Sequence, residues 1–198
     1  MTSTATTSTA TSSSSIIDPV ISGNMQVHCV RFHPNDDLVP CLQEAAKQAM
    51  MASNSSCCCF VLTCVGSLKE VELRMANACR INPDTGEKSS SNDIRKWNER
   101  FEIVSLVGTF DCNGGFHLHL SISDAKGHTF GGHLISGKVF TTVELVLGTA
   151  SAVSFTRPHD PQTGFNELKV TQSSTSTESS SKATESSGSS PPNKRLKE

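Results

Sequence analysis

Both ends of this 198-residue chain consist mainly of small polar residues, and this limits how much of it can fold. Residues 1–15 are almost entirely Ser, Thr and Ala, and residues 171–198 are mostly Ser, Thr, Glu, Lys, Pro and Gly. Segments of this composition bury too little apolar surface to offset the entropy lost on ordering. We therefore predict a disordered leader over 1–24, one folded domain over 25–170 and a disordered tail over 171–198.

Charge and hydropathy exclude several classes of protein. The formal net charge is −2, whereas a domain that binds DNA through its phosphates usually carries a basic face. No apolar run approaches the ~20 residues that span a bilayer, and the start lacks the basic and apolar regions of a secretory signal. We predict no membrane insertion, and only weak DNA binding by the domain alone.

The eight cysteines predict packing rather than metal binding. No Cys-x-x-Cys pair occurs, so a structural zinc site made of thiolates is not expected. Cys57, Cys58 and Cys59 precede the apolar run Phe60-Val61-Leu62. We predict reduced thiols, with this triplet in a buried strand where Cys packs as a small apolar residue.

Hydrophobic periodicity predicts one helix and many short strands. A first strand over 25–32 leads to a turn in which Asp36 or Asp37 caps a helix that runs through Ala52. Further strands are predicted over 58–65, 69–79, 101–110, 116–123, 128–130, 133–135, 139–147, 152–156 and 165–170, with a turn at 66–68 and a polar loop over 87–96. The predicted fold class is α/β or α+β, with a mainly antiparallel sheet and an N-terminal helix.

Three histidines form the one cluster with the spacing of metal ligands. His117 and His119 lie two residues apart in a predicted strand, so both side chains point to the same face. A turn at 124–127 leads towards His133, which reaches that face if the two strands pair. Three imidazoles that leave one position open suit Zn²⁺, with Fe or Ni as alternatives. Gly131 and Gly132 would leave room there for water or a ligand. Three histidines in strands are also compatible with a polar surface.

Other chemical motifs are scarce. No nucleophile elbow, phosphate loop or dinucleotide fingerprint occurs, so no catalytic residue is assigned. Asp124 is expected to stabilise its own turn. Glu144 lies inside an apolar strand and would need a partner if buried, such as Arg157. Lys194, Arg195 and Lys197 form a short basic cluster typical of a nuclear import signal.

Between residues 25 and 170 the chain resembles the PPC family, the plants-and-prokaryotes-conserved domain. The resemblance rests on motifs that occur in a fixed order, and the segment 101–137 is its most specific part. In chain order the motifs are Arg31-Phe32-x-Pro34-x-Asp36-Asp37-Leu38, Val65-Gly66-Ser67-Leu68 with Leu73-Arg74, Arg100-Phe101-Glu102-Ile103-Val104-Ser105-Leu106-x-Gly108-Thr109, His117-Leu118-His119-Leu120-Ser121, Gly131-Gly132-His133-Leu134, Val143-Glu144-Leu145, Phe155-x-Arg157 and Thr163-Gly164-Phe165-x-Glu167-Leu168.

This resemblance implies an antiparallel α/β fold, a homotrimer and, in plant members, a nuclear regulatory role beside an AT-hook that grips A·T-rich DNA. In prokaryotic members it implies metal ligands at a subunit cleft, which correspond here to His117, His119 and His133. The AT-hook core Arg-Gly-Arg-Pro does not occur in this sequence, so minor-groove binding by inserted arginines is not expected.

Two hypotheses about function follow. The first is a non-enzymatic homotrimer, associated with DNA and transcription regulation through protein partners, in the nucleus, the cytoplasm or both. The second is an enzyme or small-ligand-binding protein that depends on a divalent metal, with zinc expected first. Glu102, Arg157 and Asp160 are assigned to either the trimer contact or a pocket.

Overall fold

The computed structural model describes residues 17–54, 56–76, 85–87 and 92–173, and within them it contains one helix and ten strands. The elements, in chain order, are β1 (Met25–Phe32), α1 (Leu38–Ala52), β2 (Cys58–Arg74), β3 (Ile94–Trp97), β4 (Phe101–Asp111), β5 (Phe116–Ser123), β6 (Thr129–Ala150), β7 (Val153–Thr156), β8 (His159–Asp160), β9 (Phe165–Asn166) and β10 (Lys169–Gln172). The mainly antiparallel fold with an N-terminal helix is confirmed.

The main sheet closes on itself through its longest strand. β6 pairs with β2 along one edge, and along the other edge it pairs first with β5 and then with β1. β5 pairs with β4, and β4 pairs in turn with β2. All of these pairings are antiparallel. Because each of β2, β4, β5 and β6 pairs with the next and β6 pairs again with β2, the four strands form a ring around one core.

Helix α1 covers this sheet with a single apolar stripe. Leu38, Leu42, Ala46 and Ala49 recur at helical spacing and are all buried, as expected for an amphipathic surface helix. Asp37 stands at the N-cap, but its carboxylate makes no capping bond and accepts a hydrogen bond from Lys138 Nζ at 2.9 Å instead. This ion pair therefore ties the start of the helix to β6.

Several predicted breaks are absent, and one predicted loop contains a strand. β2 runs without interruption through the turn predicted at 66–68, and β6 runs through the breaks predicted around residues 131–132 and 136–137. Gly66 is accommodated as a bulge, with a φ of +143°. Cross-strand hydrogen bonds on both edges outweigh the local turn preference of Gly and Ser in these strands. β3 begins inside the loop predicted over 87–96, ends one residue beyond it and pairs with the end of β2.

The last strands form a small C-terminal layer beside the ring. β7 pairs with β10, and β8 pairs with β9 in a two-residue ribbon. Val153 and Phe155 pack against Cys58 in a second small core. Cys58 and Cys59 are fully buried in β2, as predicted, whereas Cys57 precedes the strand and is only half-buried. Among the described residues the cysteines form no disulfide.

Within the described ranges, no helix has the length and hydropathy needed to span a membrane.

Gly108 allows β4 and β5 to approach each other closely. Its φ is +147°, and a Cβ there would collide with the carbonyl oxygen of His117. Gly114, in the β4–β5 turn, also has a positive φ (+84°) but no heavy atom within 4 Å of its Cβ position.

We therefore predict that Gly108→Ala lowers the free energy of unfolding by about 3 kcal/mol or more, because backbone strain and overpacking add. Gly114→Ala introduces backbone strain but no steric clash, so it should lower the free energy of unfolding by only about 1–2 kcal/mol. Urea denaturation of both variants measures the difference, and equal losses would contradict the close-approach explanation.

Candidate metal centre

Strands β5 and β6 bring the three predicted histidines to one face of the sheet. Along β5, His117 and His119 point outward and are exposed, whereas Leu118 and Leu120 between and after them are buried. His133 on β6 lies directly across from His119. The predicted co-facial arrangement is therefore present.

The potential ligand atoms of the three rings lie within 4.8 Å of one another. Nε2 of His117 is 3.1 Å from Nε2 of His119. The ring of His133 lies with its centroid 5.1 Å from that of His117 and 5.6 Å from that of His119. The arrangement is a tripod of nitrogens that is open to solvent on one side.

The sheet register explains which other side chains surround the tripod. Directly opposite residues of paired strands share a face, and a row across four strands runs from Val107 through His119 and His133 to Arg74. Thr109 lies opposite His117 in the same way.

The glycines beside the tripod have a different role from the predicted one. A Cβ on Gly131 would lie 2.5 Å from the carbonyl oxygen of Leu120, and one on Gly132 would lie 2.7 Å from that of Arg74. Both contacts are with backbone of the flanking strands. These glycines therefore allow β6 to lie close to β5 and β2, rather than opening space for a ligand.

Burial and neighbouring charges keep two of the imidazoles neutral. Burial is the main cause that lowers the pKa of His133 to about 4, and the positive charge of Arg74 lowers it further. The His117 side chain is exposed, but its neighbours still remove part of its hydration, which lowers its pKa, and the charges of His119 and Arg157 act in the same direction. Neutral imidazole is the form that binds metal, so these two ligands are ready at neutral pH.

Arg157 joins the site from the C-terminal layer. Its side chain is only 9% exposed, and Nη2 donates a hydrogen bond of 2.6 Å to Thr109 Oγ1. Nε lies 4.0 Å from Oδ2 of Asp111, whose own side chain is 2% exposed. Oδ1 of Asp111 accepts the backbone N–H groups of Asn113 and Gly115.

A shallow pocket of about 210 Å³ lies against two of the histidines. It is lined by His117 and His119, by Val107, Gly108 and Thr109 of β4, and by Arg157, Glu167 and Leu168. The negative charge of Glu167 raises the pKa of His117, against the other causes. One acidic and one basic side chain therefore line the pocket beside His117 and His119.

The donor set fits a divalent cation. The 3.1 Å between the Nε2 atoms of His117 and His119 matches two nitrogens at ~2.0–2.1 Å from one zinc ion. Nδ1 of His133 is buried, and no hydrogen-bond partner for it is found among the described residues. A buried polar atom of this kind is costly unless something satisfies it.

The other predicted site residues lie elsewhere. Glu102 is exposed on β4, opposite Ser123, and Oδ1 of Asp160 accepts the N–H of Gln162 in a turn. Glu144 is exposed on β6, so the condition under which it would need a buried partner is not met within this chain. Lys194, Arg195 and Lys197 lie outside the described residues.

The predicted role of Asp124 agrees with the contacts of its side chain. Its Oδ1 accepts the N–H groups of Lys126 and His128, at 2.8 and 2.9 Å.

Arg74, Thr109 and Glu167 were not among the predicted site residues. Arg74 and Thr109 reach the site through the register of β2 and β4, which local pattern does not specify. Glu167 follows the β8–β9 ribbon. Its position at the site depends on how this ribbon packs against the main sheet, which local sequence does not specify. Their one signal was their place within the motifs that carry the PPC resemblance.

Comparison with known families gives a match over most of the domain. The family model of the Plants and Prokaryotes Conserved (PCC) domain, written PPC above, matches residues 21–151. A curated Synechococcus protein named bifunctional protein GlmU is 37% identical over 153 residues, which are 77% of this chain and 21% of that protein. The chain thus spans about a fifth of the length of the curated relatives it matches.

Solved structures share the fold. A hypothetical protein from Salmonella matches with a TM-score of 0.64 and 29% identity, over 76% of this chain and 96% of that one. A metal-containing protein from Archaeoglobus fulgidus matches with a TM-score of 0.57 and 20% identity, over 76% and 99% of the two chains. A Bacteroides thetaiotaomicron protein named as a candidate DNA-binding protein matches with a TM-score of 0.54 and 20% identity, over 72% and 91%.

The low pKa of His133 predicts a specific pH response of the metal-free protein. The imidazole should stay neutral until the pH falls to about 4. Because its value in the unfolded chain is near 6.5, the unfolded state takes up protons first. Stability should therefore fall as the pH drops from about 6.5 towards 4.

Nuclear magnetic resonance titration of the His133 ring measures this pKa directly. Arg74→Gln should raise it only in part, since burial is the larger cause, and Arg95→Gln on β3 serves as the charge-loss control. Titration of the wild-type ring near pH 6.5 would contradict the prediction.

Proposed function

This chain belongs to the Plants and Prokaryotes Conserved domain family, and we propose that it is a small-ligand-binding protein that depends on a divalent cation. His117, His119 and His133 hold the cation. The observation that carries the proposal is the convergence of their ligand atoms within 4.8 Å on one open face.

Zinc is the cation that we propose. Three imidazoles with an open fourth position are typical of zinc sites that bind an exogenous ligand, whereas structural zinc sites are closed by four protein ligands. A cation bound there supplies a Lewis acid for that ligand. Iron and nickel also accept imidazole, so the bound metal has to be identified by analysis.

The roles of the surrounding residues follow from their positions. Loss of hydration and neighbouring positive charges lower the pKa values of His117 and His133, which weakens the competition of protons with the cation. Thr109 orients the Arg157 guanidinium beside the open position. Val107 and Leu168 line the same pocket with apolar surface. The residues bind and orient a ligand, and we assign no catalytic residue.

We expect His119→Ala to reduce the metal content of purified protein from near one ion per chain to about a tenth or less, because losing one of three ligands removes the tripod. His119 is exposed, so the fold should persist. Elemental analysis of gel-filtered, untagged protein measures the metal, and circular dichroism checks the fold.

His128→Ala is the matched control. His128 lies in the turn before β6 and contacts Asp124, outside the tripod. Equal metal content in wild-type protein and in both variants would refute the proposed centre.

A second candidate function is that of a homotrimeric regulatory module. Two groups of exposed apolar side chains favour it. Val104 and Val107 on β4 are 55% and 53% exposed, and Val107 lines the histidine pocket. Val65 on β2 is 54% exposed in a separate groove that also contains Val30.

Two different apolar patches are what a cyclic trimer needs. A three-fold ring joins unlike surfaces head to tail, so one patch of each chain would meet the other patch of its neighbour. If the β4 patch, defined as Val104 and Val107, is one of the two, the histidine centre would lie beside the subunit contact.

Association with DNA and transcription is part of this second proposal. The Bacteroides protein of similar fold is named as a candidate DNA-binding protein, but at 20% identity that likeness supports only the fold. With a formal net charge of −2, we propose that contact with DNA runs through protein partners in the nucleus. Removal of residues 174–198, which contain the basic cluster, should then redistribute the protein to the cytoplasm.

We predict that Val107→Glu and Val65→Glu each shift the protein from three times the 21.1 kDa of one chain to a single chain, because a buried unpaired carboxylate costs several kcal/mol. Light scattering after gel filtration measures the mass. Val20→Glu is the control, at a side chain that is 83% exposed near the N-terminal end of the described residues. A single-chain mass of the wild-type protein would refute the trimer.

A further inference from the structure

Two arginines beside the histidine tripod have buried nitrogen atoms without a hydrogen-bond partner. Within the described ranges, neither Nε of Arg157 nor Nε of Arg74 meets an acceptor. The contact of Arg157 Nε with Asp111 is 4.0 Å long, beyond hydrogen-bond range. Buried guanidinium N–H groups without partners are rare in folded proteins, so an acceptor is to be expected at these positions.

Arg157 is largely buried and lines the pocket. Its side chain is 91% buried, as the complement of its 9% exposure, yet it lines the pocket together with His117 and His119. The hydrogen bond to Thr109 fixes one end of the guanidinium. The group is therefore held in place beside the open side of the tripod.

The charges at the site favour an anion. A divalent cation on three neutral imidazoles would add two positive charges. Asp111 offsets the charge of Arg157, Glu167 provides one negative charge at the pocket, and Arg74 adds one positive charge opposite His133. The sum of these charges is positive, and the fourth coordination position of the cation has no protein ligand.

We propose, on the basis of the function proposed above, that the ligand of this centre is a small molecule with a carboxylate or phosphate group. One oxygen of this oxyanion occupies the open position of the cation, and Arg157 binds another oxygen. The pocket volume of about 210 Å³ lies below the ~300–1,000 Å³ of sites for drug-sized ligands, which restricts the ligand to a small molecule. Arginine suits this role because its planar fork matches carboxylate and phosphate geometry.

Cobalt-loaded full-length protein provides the test, since the visible spectrum of Co²⁺ changes when its fourth ligand changes. We expect inorganic phosphate, acetate or both to change the spectrum saturably, and the two arms show which oxyanion class the site prefers. Sodium chloride at equal ionic strength is the control for screening.

Arg157→Gln tests the proposed second contact. Because it leaves Asp111 buried without its counter-ion, it is combined with Asp111→Asn, which keeps the acceptor oxygen for the N–H groups of Asn113 and Gly115. The double variant should retain cobalt but bind the oxyanion at least about 10-fold more weakly, as expected for the loss of a charge-assisted hydrogen bond. Arg95→Gln, on β3 outside the pocket, should bind it as the wild type does.

The outcomes separate this inference from the proposed function. Failure to retain cobalt refutes the metal centre itself. Retained cobalt with no spectral response to either anion refutes the oxyanion site, and undiminished binding in the double variant refutes the role of Arg157. A response seen only in Glu167→Gln would show that Glu167 occupies the open position, which also overturns the inference.

Discussion

Pairing of β6 along both of its edges is the constraint on which the rest of the structure depends. One edge pairs with β2 over most of its length, and the other is shared between β5 and β1. A single strand thus closes the ring, supports the first strand and meets the helix through the ion pair of Lys138 with Asp37. Because the side-chain period of a strand is two, a slip of one residue in β6 would turn its buried leucines outward.

The histidine centre is a direct consequence of that register. His133 is opposite His119 on one side and opposite Arg74 on the other, so a displaced β6 would remove both the third ligand and the neighbouring charge. Gly131 and Gly132 keep β6 close to β5 and β2, since side chains at these positions would collide with the backbone of those strands. The three histidines therefore need no loop to position them, and the strands that form the core also place these ligands.

The local sequence pattern was sufficient to predict some of the strands and two of the three histidine positions. The bounds of β1 and β5 agree with the prediction, because alternating residues between clear turns leave little choice. The prediction of a turn at 66–68 was wrong, because in sequence a glycine that permits a bulge cannot be distinguished from one that ends a strand. His117 and His119 were predictable from their spacing of two, whereas Arg74 required the register of β2 with β6. Arg157 was named first as a possible partner of Glu144 and then as part of the PPC motifs, but its place in the pocket depends on packing of the C-terminal layer, which the sequence does not specify.

Two arginines lie close to three histidines that would bind a divalent cation, so like charges would repel each other at this site. Positive charge on Arg74 and Arg157 opposes a divalent cation at the tripod, and a site built only to hold metal would place carboxylates there, as many zinc sites do around their histidines. Yet loss of hydration and, after it, the same charges lower the pKa values of His133 and His117, which weakens proton competition and partly offsets the repulsion. An anion that bridges the cation and a guanidinium would convert the remaining repulsion into two attractions. On this argument the affinity for metal should rise when the anion is bound and the affinity for the anion should rise by the same factor when the metal is bound, since coupling between two ligands is reciprocal.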